Sequence, residues 1–261
     1  MADREIRGHR FHVQRLGTGS PVVVFVHGLV MDNLSSWYFT VANPVARFAS
    51  VLLYDLRGHG RSERPETGYQ VTDMVADLKG MLDVEEIDEP IHLVGNSFGG
   101  LLALAFALEH PSRVAGLILV DAHWSEQGWA DEMVRTLGLQ GAERDQKILE
   151  SFQDWLGRHS GRKRNRLAKN AEALVYGTSL LADLEASPTV DEARLMEVQC
   201  PVLALYGEHS DIRQRGERLA AALPQCTLRV VEGCTHSILW EATEKVRSTI
   251  VNWLKEQREG V

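Results

Sequence analysis

Long apolar runs are missing from this 261-residue chain. No stretch approaches the ~18 consecutive apolar residues that a membrane span needs. The opening segment, Met1 to Phe11, is charged and has no apolar core of the kind a secretory signal carries. A soluble, cytoplasmic protein is the expectation. Cysteine is scarce: Cys200, Cys226 and Cys234 are the only three and form no CxxC pair. That excludes a disulfide framework, gives no zinc site and fits reduced thiols, and no metal or other cofactor is expected. Positive charge is in deficit, with 28 Lys and Arg against 36 Asp and Glu and a formal net charge of -8, which argues against nucleic acid as a partner. What is present is ordinary globular composition, 44% hydrophobic and 25% charged, so disorder is excluded and the chain is long enough to bury a substantial core.

Six short apolar runs punctuate the chain. Pro21 to Val26 reads PVVVFV and ends in His27-Gly28; Ser50 to Tyr54 ends at Asp55, Ile91 to Val94 at Gly95, and Val114 to Val120 at Asp121. Val202 to Tyr206 leads into Gly207, and Thr227 to Val231 into Glu232. Runs of this length, rich in β-branched residues and closed by polar or glycine turns, predict strands of a parallel sheet covered on both faces. Helical spacing over 71–82, through Val71, Met74, Val75, Leu78 and Leu82, and over 241–255, through Val246, Ile250, Trp253 and Leu254, supplies covering helices. A third helix is predicted from Ser97 until Pro111 stops it. The alternation predicts an α/β fold with a mostly parallel central sheet and helices on both faces. An antiparallel pair is expected at the start, where His9 to Leu16 precedes the turn signal Gly17-Thr18-Gly19. From His123 to Val198 no strand run occurs, which predicts a helical cap inserted after the strand ending near Asp121 and lying over the ligand crevice of such sheets. The expected organisation is one core domain of residues 1–122 and 199–261 with a cap of residues 123–198.

The strongest chemical signal is Gly95-Asn96-Ser97-Phe98-Gly99, set between a predicted strand and a predicted helix. A serine on so sharp a turn occupies a strained backbone conformation, and glycines two residues away on either side remove the side chains that would collide. The helix N-terminus below it offers unsatisfied amides and the positive end of a dipole. A nucleophilic serine needs a base, and His236 follows the last predicted strand directly, in a loop at the same edge. The base needs a carboxylate to fix its tautomer, and Asp211 lies beyond the preceding strand. The expected catalytic set is therefore Ser97, Asp211 and His236, in that chain order.

These pieces, together with His27-Gly28 and Asp55-Leu56-Arg57-Gly58-His59-Gly60-Arg61-Ser62, cover the chain from His9 to Lys255 and resemble the α/β-hydrolase family. The resemblance implies an oxyanion hole made by the backbone N–H groups of Phe98 and Leu29, with Val30 as the alternative second donor. It implies that His27 and His59 brace their loops and that Glu208 bonds to neighbouring loops. It also makes Asp121 the rival of Asp211, because some members draw their acid from the strand after the nucleophile helix, and the loop of Asp211 is one residue longer than the commonest spacing. Serine at the elbow argues against the branches that attack carbon with an aspartate.

The function expected from this resemblance is hydrolysis of a carboxylic ester or thioester through an acyl-enzyme. The alternative is a carbon–carbon bond hydrolase of dienoic diketo acids, whose elbow Gly-Asn-Ser-Phe-Gly-Gly also resembles, although Leu29, Val30 and Met31 stand where that group carries a glycine-rich loop. A non-catalytic ligand-binding member of the fold is the third reading. Val30, Trp124, Trp129 and Trp155 are expected to line the substrate pocket. Arg158, Arg162, Lys163, Arg164, Arg166 and Lys169 crowd a stretch without Asp or Glu, a candidate dock for an acyl carrier protein or a coenzyme A thioester.

Overall fold

The computed structural model describes residues 2–141, 143 and 161–259. Eight strands form one sheet: β1 (Ala2–Ile6), β2 (His9–Leu16), β3 (Val22–Val26), β4 (Ser50–Tyr54), β5 (Ile91–Asn96), β6 (Val114–Val120), β7 (Val202–Gly207) and β8 (Cys226–Val231). They lie in the order β1-β2-β4-β3-β5-β6-β7-β8. β1 and β2 are antiparallel, as is the pair β2 and β4, and every other pairing is parallel.

The apolar runs have a direct cause. In β3, Val22, Val24 and Val26 enter one core while Val23 and Phe25 enter the other, and β4 divides in the same way. Successive side chains point to opposite faces, so a strand covered on both sides must be apolar throughout. One core is closed by helices Val71–Val84 and Phe98–Glu109, the other by residues 35–45 and helix Thr243–Glu259. Each fully buried Val, Leu or Ile stabilises the fold by about 1.5–3 kcal/mol relative to exposure.

β1 is a strand that the apolar pattern does not reveal. Its sequence, ADREI, buries only Ile6, and it sits at the sheet edge, where charged side chains are favoured because they discourage pairing with another chain. Residues 35–45 are helical and include a π-helical turn, Tyr38–Ala42, after Trp37, whose indole N–H donates to Val26 O at 3.0 Å.

Two features position the candidate site. The register of β5 with β6 pairs Asn96 with Val120. The residues that follow, Ser97 and Asp121, therefore leave the sheet side by side. Among the described residues of 123–198 there is no strand, and the helices are Trp129–Leu137, Gly161–Gly177, Leu180–Glu185 and Glu192–Leu195. Leu167 and Ala171 of helix Gly161–Gly177 pack with Met31, Val30 and Trp240 beyond the carboxyl ends of the strands. Trp155 and Arg158 lie outside the described residues, as do the side chains of Arg162, Lys163 and Arg164. Among the described residues no helix is long and apolar enough to cross a membrane.

Candidate active site

Ser97 stands between β5 and helix Phe98–Glu109 with φ 51° and ψ -122°, a conformation L-residues rarely adopt. The neighbouring glycines make it possible. A Cβ on Gly95 would lie 2.3 Å from Gly99 O, one on Gly99 would lie 2.3 Å from Val26 O, and one on Gly100 would lie 2.3 Å from the Cβ of Ala122. All three contacts are shorter than any real Cβ contact, so the chain can turn this tightly only without side chains there. The turn is also tied to β6: Ser97 N–H donates to Val120 O at 3.0 Å, and Ser97 O accepts from His123 N–H at 3.2 Å.

His236 reaches this serine from the loop after β8. Its Nε2 is 3.1 Å from Ser97 Oγ, and its Nδ1 is 2.9 Å from Asp121 Oδ1. With Nδ1–H donated to the carboxylate, Nε2 is left to accept the serine proton. The histidine loop is itself anchored. Glu241 accepts from Thr235 N–H at 2.7 Å and from its hydroxyl at 2.6 Å, and Glu208 accepts from Gly233 N–H at 2.8 Å. Glu208 thus bonds to a neighbouring loop, as expected.

The carboxylate against His236 is Asp121, and Asp211 has to be withdrawn from that position. Asp211 is exposed, just before helix Arg213–Ala222. The loop after β7 serves the acid instead of supplying it: Gly207 N–H donates to Asp121 Oδ2 at 2.7 Å and Ser210 Oγ donates to Oδ1 at 2.5 Å. Asp121 has φ 43° and its side chain is only 2% exposed, against 22% for His236. Sheet register carries this carboxylate to the histidine, whereas the longer β7 loop turns Asp211 outward.

The cleft beside Ser97 is lined by Gly28, Leu29, Met31, Asp32, His236 and Trp240, among others. Leu29 faces it, and among the described residues neither its N–H nor that of Phe98 has an acceptor. Val30 cannot serve as a donor, because its N–H already points at His59 Nε2, 2.7 Å away. His59 Nδ1–H in turn donates to Arg57 O at 2.8 Å, and His27 donates to Gly28 O at 2.7 Å while accepting Leu56 N–H at 3.0 Å. Both imidazoles are neutral braces: burial lowers His27 to about 4, and burial, with the nearby His27, lowers His59 to about 3.

Pocket residues expected from sequence fare unevenly. Trp124 and Trp129 are 3% and 1% exposed and do not line the cleft; Trp129 stacks on Phe98 with ring centroids 6.1 Å apart. They are packing residues, and among the described residues the tryptophan that lines the cleft is Trp240, which lies outside the cap. Val30 lines a neighbouring cavity of about 460 Å³ that it shares with Asp32, His59, Arg61 and Arg166. Arg166 and Lys169 are exposed.

Two residues near Ser97 had no signal in the sequence. Buried His123 lies 5.6 Å from His236, ring to ring, and is held well below the usual imidazole range by burial and then by the charges of His236 and Arg215. Asp32 follows the His27-Gly28 turn closely and gathers donors from two loops. Gly28 N–H reaches it at 2.8 Å, Asn33 N–H at 2.8 Å and the Asn96 side chain at 3.4 Å, with the Ser36 hydroxyl as a fourth partner. Among the described residues no cluster of three or more His, Cys, Asp or Glu is placed to hold a metal ion.

Comparison with known proteins places the chain in a family of the same fold. A family model described as alpha/beta hydrolase fold matches residues 21–181. A 2-hydroxy-6-oxononadienedioate/2-hydroxy-6-oxononatrienedioate hydrolase of Paraburkholderia phymatum is 31% identical over 94% of this chain and 91% of its own length. A 2-hydroxy-6-oxo-2,4-heptadienoate hydrolase of Pseudomonas putida is 41% identical, over 44% of this chain and 42% of its own. Among solved structures, an enol-lactonase from Burkholderia xenovorans LB400 superposes with TM-score 0.78 at 21% identity, covering 97% of this chain and 100% of that one, a likeness of fold.

Proposed function

Since this chain belongs to the α/β-hydrolase fold family, we propose that it is a serine hydrolase cleaving a carbon–carbon bond in a dienoic diketo acid, with Ser97, His236 and Asp121 as nucleophile, base and acid. The observation that carries the choice of bond is the 31% identity with a hydrolase of that class along 94% of the chain. The elbow Gly95-Asn96-Ser97-Phe98-Gly99-Gly100 supports it.

The chemistry follows from the groups in place. His236 Nε2 takes the Ser97 proton, and the alkoxide adds to the ketone carbon of the substrate in its keto form. Asp121 holds Nδ1–H and balances the imidazolium that forms. The N–H groups of Leu29 and Phe98 bind the oxyanion, each stabilising it by roughly 3–4 kcal/mol. When the oxyanion collapses, the carbon–carbon bond breaks and its electron pair spreads into the conjugated arm, which departs and takes a proton from His236. Water, deprotonated by His236, then releases the acyl group from Ser97 as a carboxylic acid.

Ester or thioester hydrolysis is the second reading. Leu29-Val30-Met31 favours it, because the Val30 N–H is held by His59 and the loop lacks the freedom of a glycine-rich one. A panel of nitrophenyl esters, acyl-coenzyme A thioesters and a dienoic diketo acid, run on wild type and on Ser97→Ala, separates the two. The first reading expects turnover of the diketo acid and a loss of about a thousandfold or more in the variant. Turnover of the simple esters alone would assign the chain to the second.

A further inference from the structure

Asp32 is not accounted for by the triad or by the oxyanion hole, yet it lines the cleft at Ser97. Each hydrogen bond it makes brings a donor to its carboxyl group: the N–H of Gly28, the N–H of Asn33, the amide of Asn96 and the hydroxyl of Ser36. Burial pushes the Asp32 carboxyl above the usual carboxylate range, while all four donors act against that shift and favour the charged form. No Lys or Arg forms an ion pair with it among the described residues. Its charge is therefore spread over neutral dipoles and faces the cleft unneutralised. It is also close to the reacting centre: a Cβ placed on Gly28 would lie 3.2 Å from Asp32 Oδ2 and 3.6 Å from the Cβ of Ser97.

Resting on the proposed serine-hydrolase reading, we propose that Asp32 is a specificity-determining residue that rejects substrates with a negative charge near the scissile carbonyl, so that the acyl group left on Ser97 is uncharged. A second anion in this partly closed cleft meets the Asp32 carboxylate at low effective dielectric, where like charges repel strongly. The two relatives differ in this respect. A 6-oxononadienedioate carries a second carboxylate three carbons beyond the ketone, on the acyl arm, whereas a 6-oxo-heptadienoate has only a methyl group there. The substrate carboxylate that both share lies at the far end of the conjugated arm. Asp32 admits the second kind and opposes the first.

The test uses labelling of Ser97 by two phosphonates of equal length, one ending in a methyl group and one in a carboxylate, on wild type, Asp32→Asn and Asp32→Ser. Phosphonates report on the serine and its pocket whichever bond the enzyme cleaves in nature. Wild type is expected to react at least tenfold faster with the uncharged reagent, and both variants to shrink that ratio to within about threefold, whatever their absolute rates. A ratio unchanged in variants that still label would overturn the role of Asp32 and leave the hydrolase reading standing. Absence of labelling in wild type by either reagent would overturn the hydrolase reading and this inference together. Loss of fold alone lowers both rates equally and leaves the ratio unmoved, so the ratio isolates the charge.

Discussion

Asp121 and His236 are separated by 115 positions in the chain and joined by a 2.9 Å hydrogen bond from Nδ1–H to the carboxylate. The bond fixes which nitrogen faces Ser97. Asp121→Asn replaces the acceptor with an amide that favours the wrong tautomer, and kcat is expected to fall by about 10⁴, as for a triad acid. Asp211→Asn should stay within twofold of wild type in the same steady-state assay. A large loss in Asp211→Asn with none in Asp121→Asn would reverse the assignment.

The hydrogen bond from Val30 N–H to His59 Nε2 holds the loop that presents Leu29. Val30 has φ 65°, an unusual conformation for a β-branched residue, and the bond helps to maintain it. His59→Ala should lower kcat by roughly ten- to a hundredfold while changing KM little, because an oxyanion donor acts in the transition state. A variant with raised KM and unaltered kcat would separate this loop from the oxyanion.

Burial lowers His27 and His92 to about 4 and His59 to about 3, and His123 lies well below its ordinary range. In the unfolded chain each titrates near about 6.5, so between that pH and the folded values the unfolded state binds more protons. Stability is thus full above pH ~6.5 and falls as the pH drops, at up to ~1.4 kcal/mol per pH unit for each imidazole. Thermal melts from pH 7 to pH 4.5 should show a steep loss of Tm, and a flat profile would contradict neutral burial of these rings.

His92 offers a cleaner version of that experiment, since both of its ring nitrogens are buried without a hydrogen-bond partner and its ring meets Trp253 edge-on at 5.9 Å. His92→Leu removes two unsatisfied polar atoms at similar volume and should stabilise the protein by about 1–3 kcal/mol in chemical denaturation. The variant should also lose one imidazole's share of the acid sensitivity.

Gly99 is in contact with the backbone of β3, where an added Cβ would lie 2.3 Å from Val26 O. Gly99→Ala must push helix Phe98–Glu109 away from the sheet, and a loss of at least ~2 kcal/mol is expected, within the usual range for overpacking or slightly above it. Activity should fall with it, because the same shift moves Ser97 and Phe98.

The sheet and the serine turn were legible because their causes are local. Apolar runs such as PVVVFV follow from burial on two faces, and Gly95, Gly99 and Gly100 are demanded by contacts of the turn with its immediate neighbours. The acid was not, because Asp121 and Asp211 follow adjacent strands at the same sheet edge and only the path of the β7 loop decides which one faces inward. Trp124 and Trp129 mislead for a related reason: composition says that a large ring will be buried, but not whether it faces a cleft or a core. Asp32 belongs to no spacing motif, and its role arises from loops that meet only in the folded chain. β1 was hidden because an edge strand has little apolar sequence to show.

The pairing of Asn96 with Val120 has an architectural outcome. Nucleophile and acid each follow directly on the two ends of that last rung, so their spacing is set by the sheet and is indifferent to how much chain is spliced in after β6. Only the imidazole travels on a separate tether, and loosening that tether by itself silences the chemistry while the scaffold stays intact.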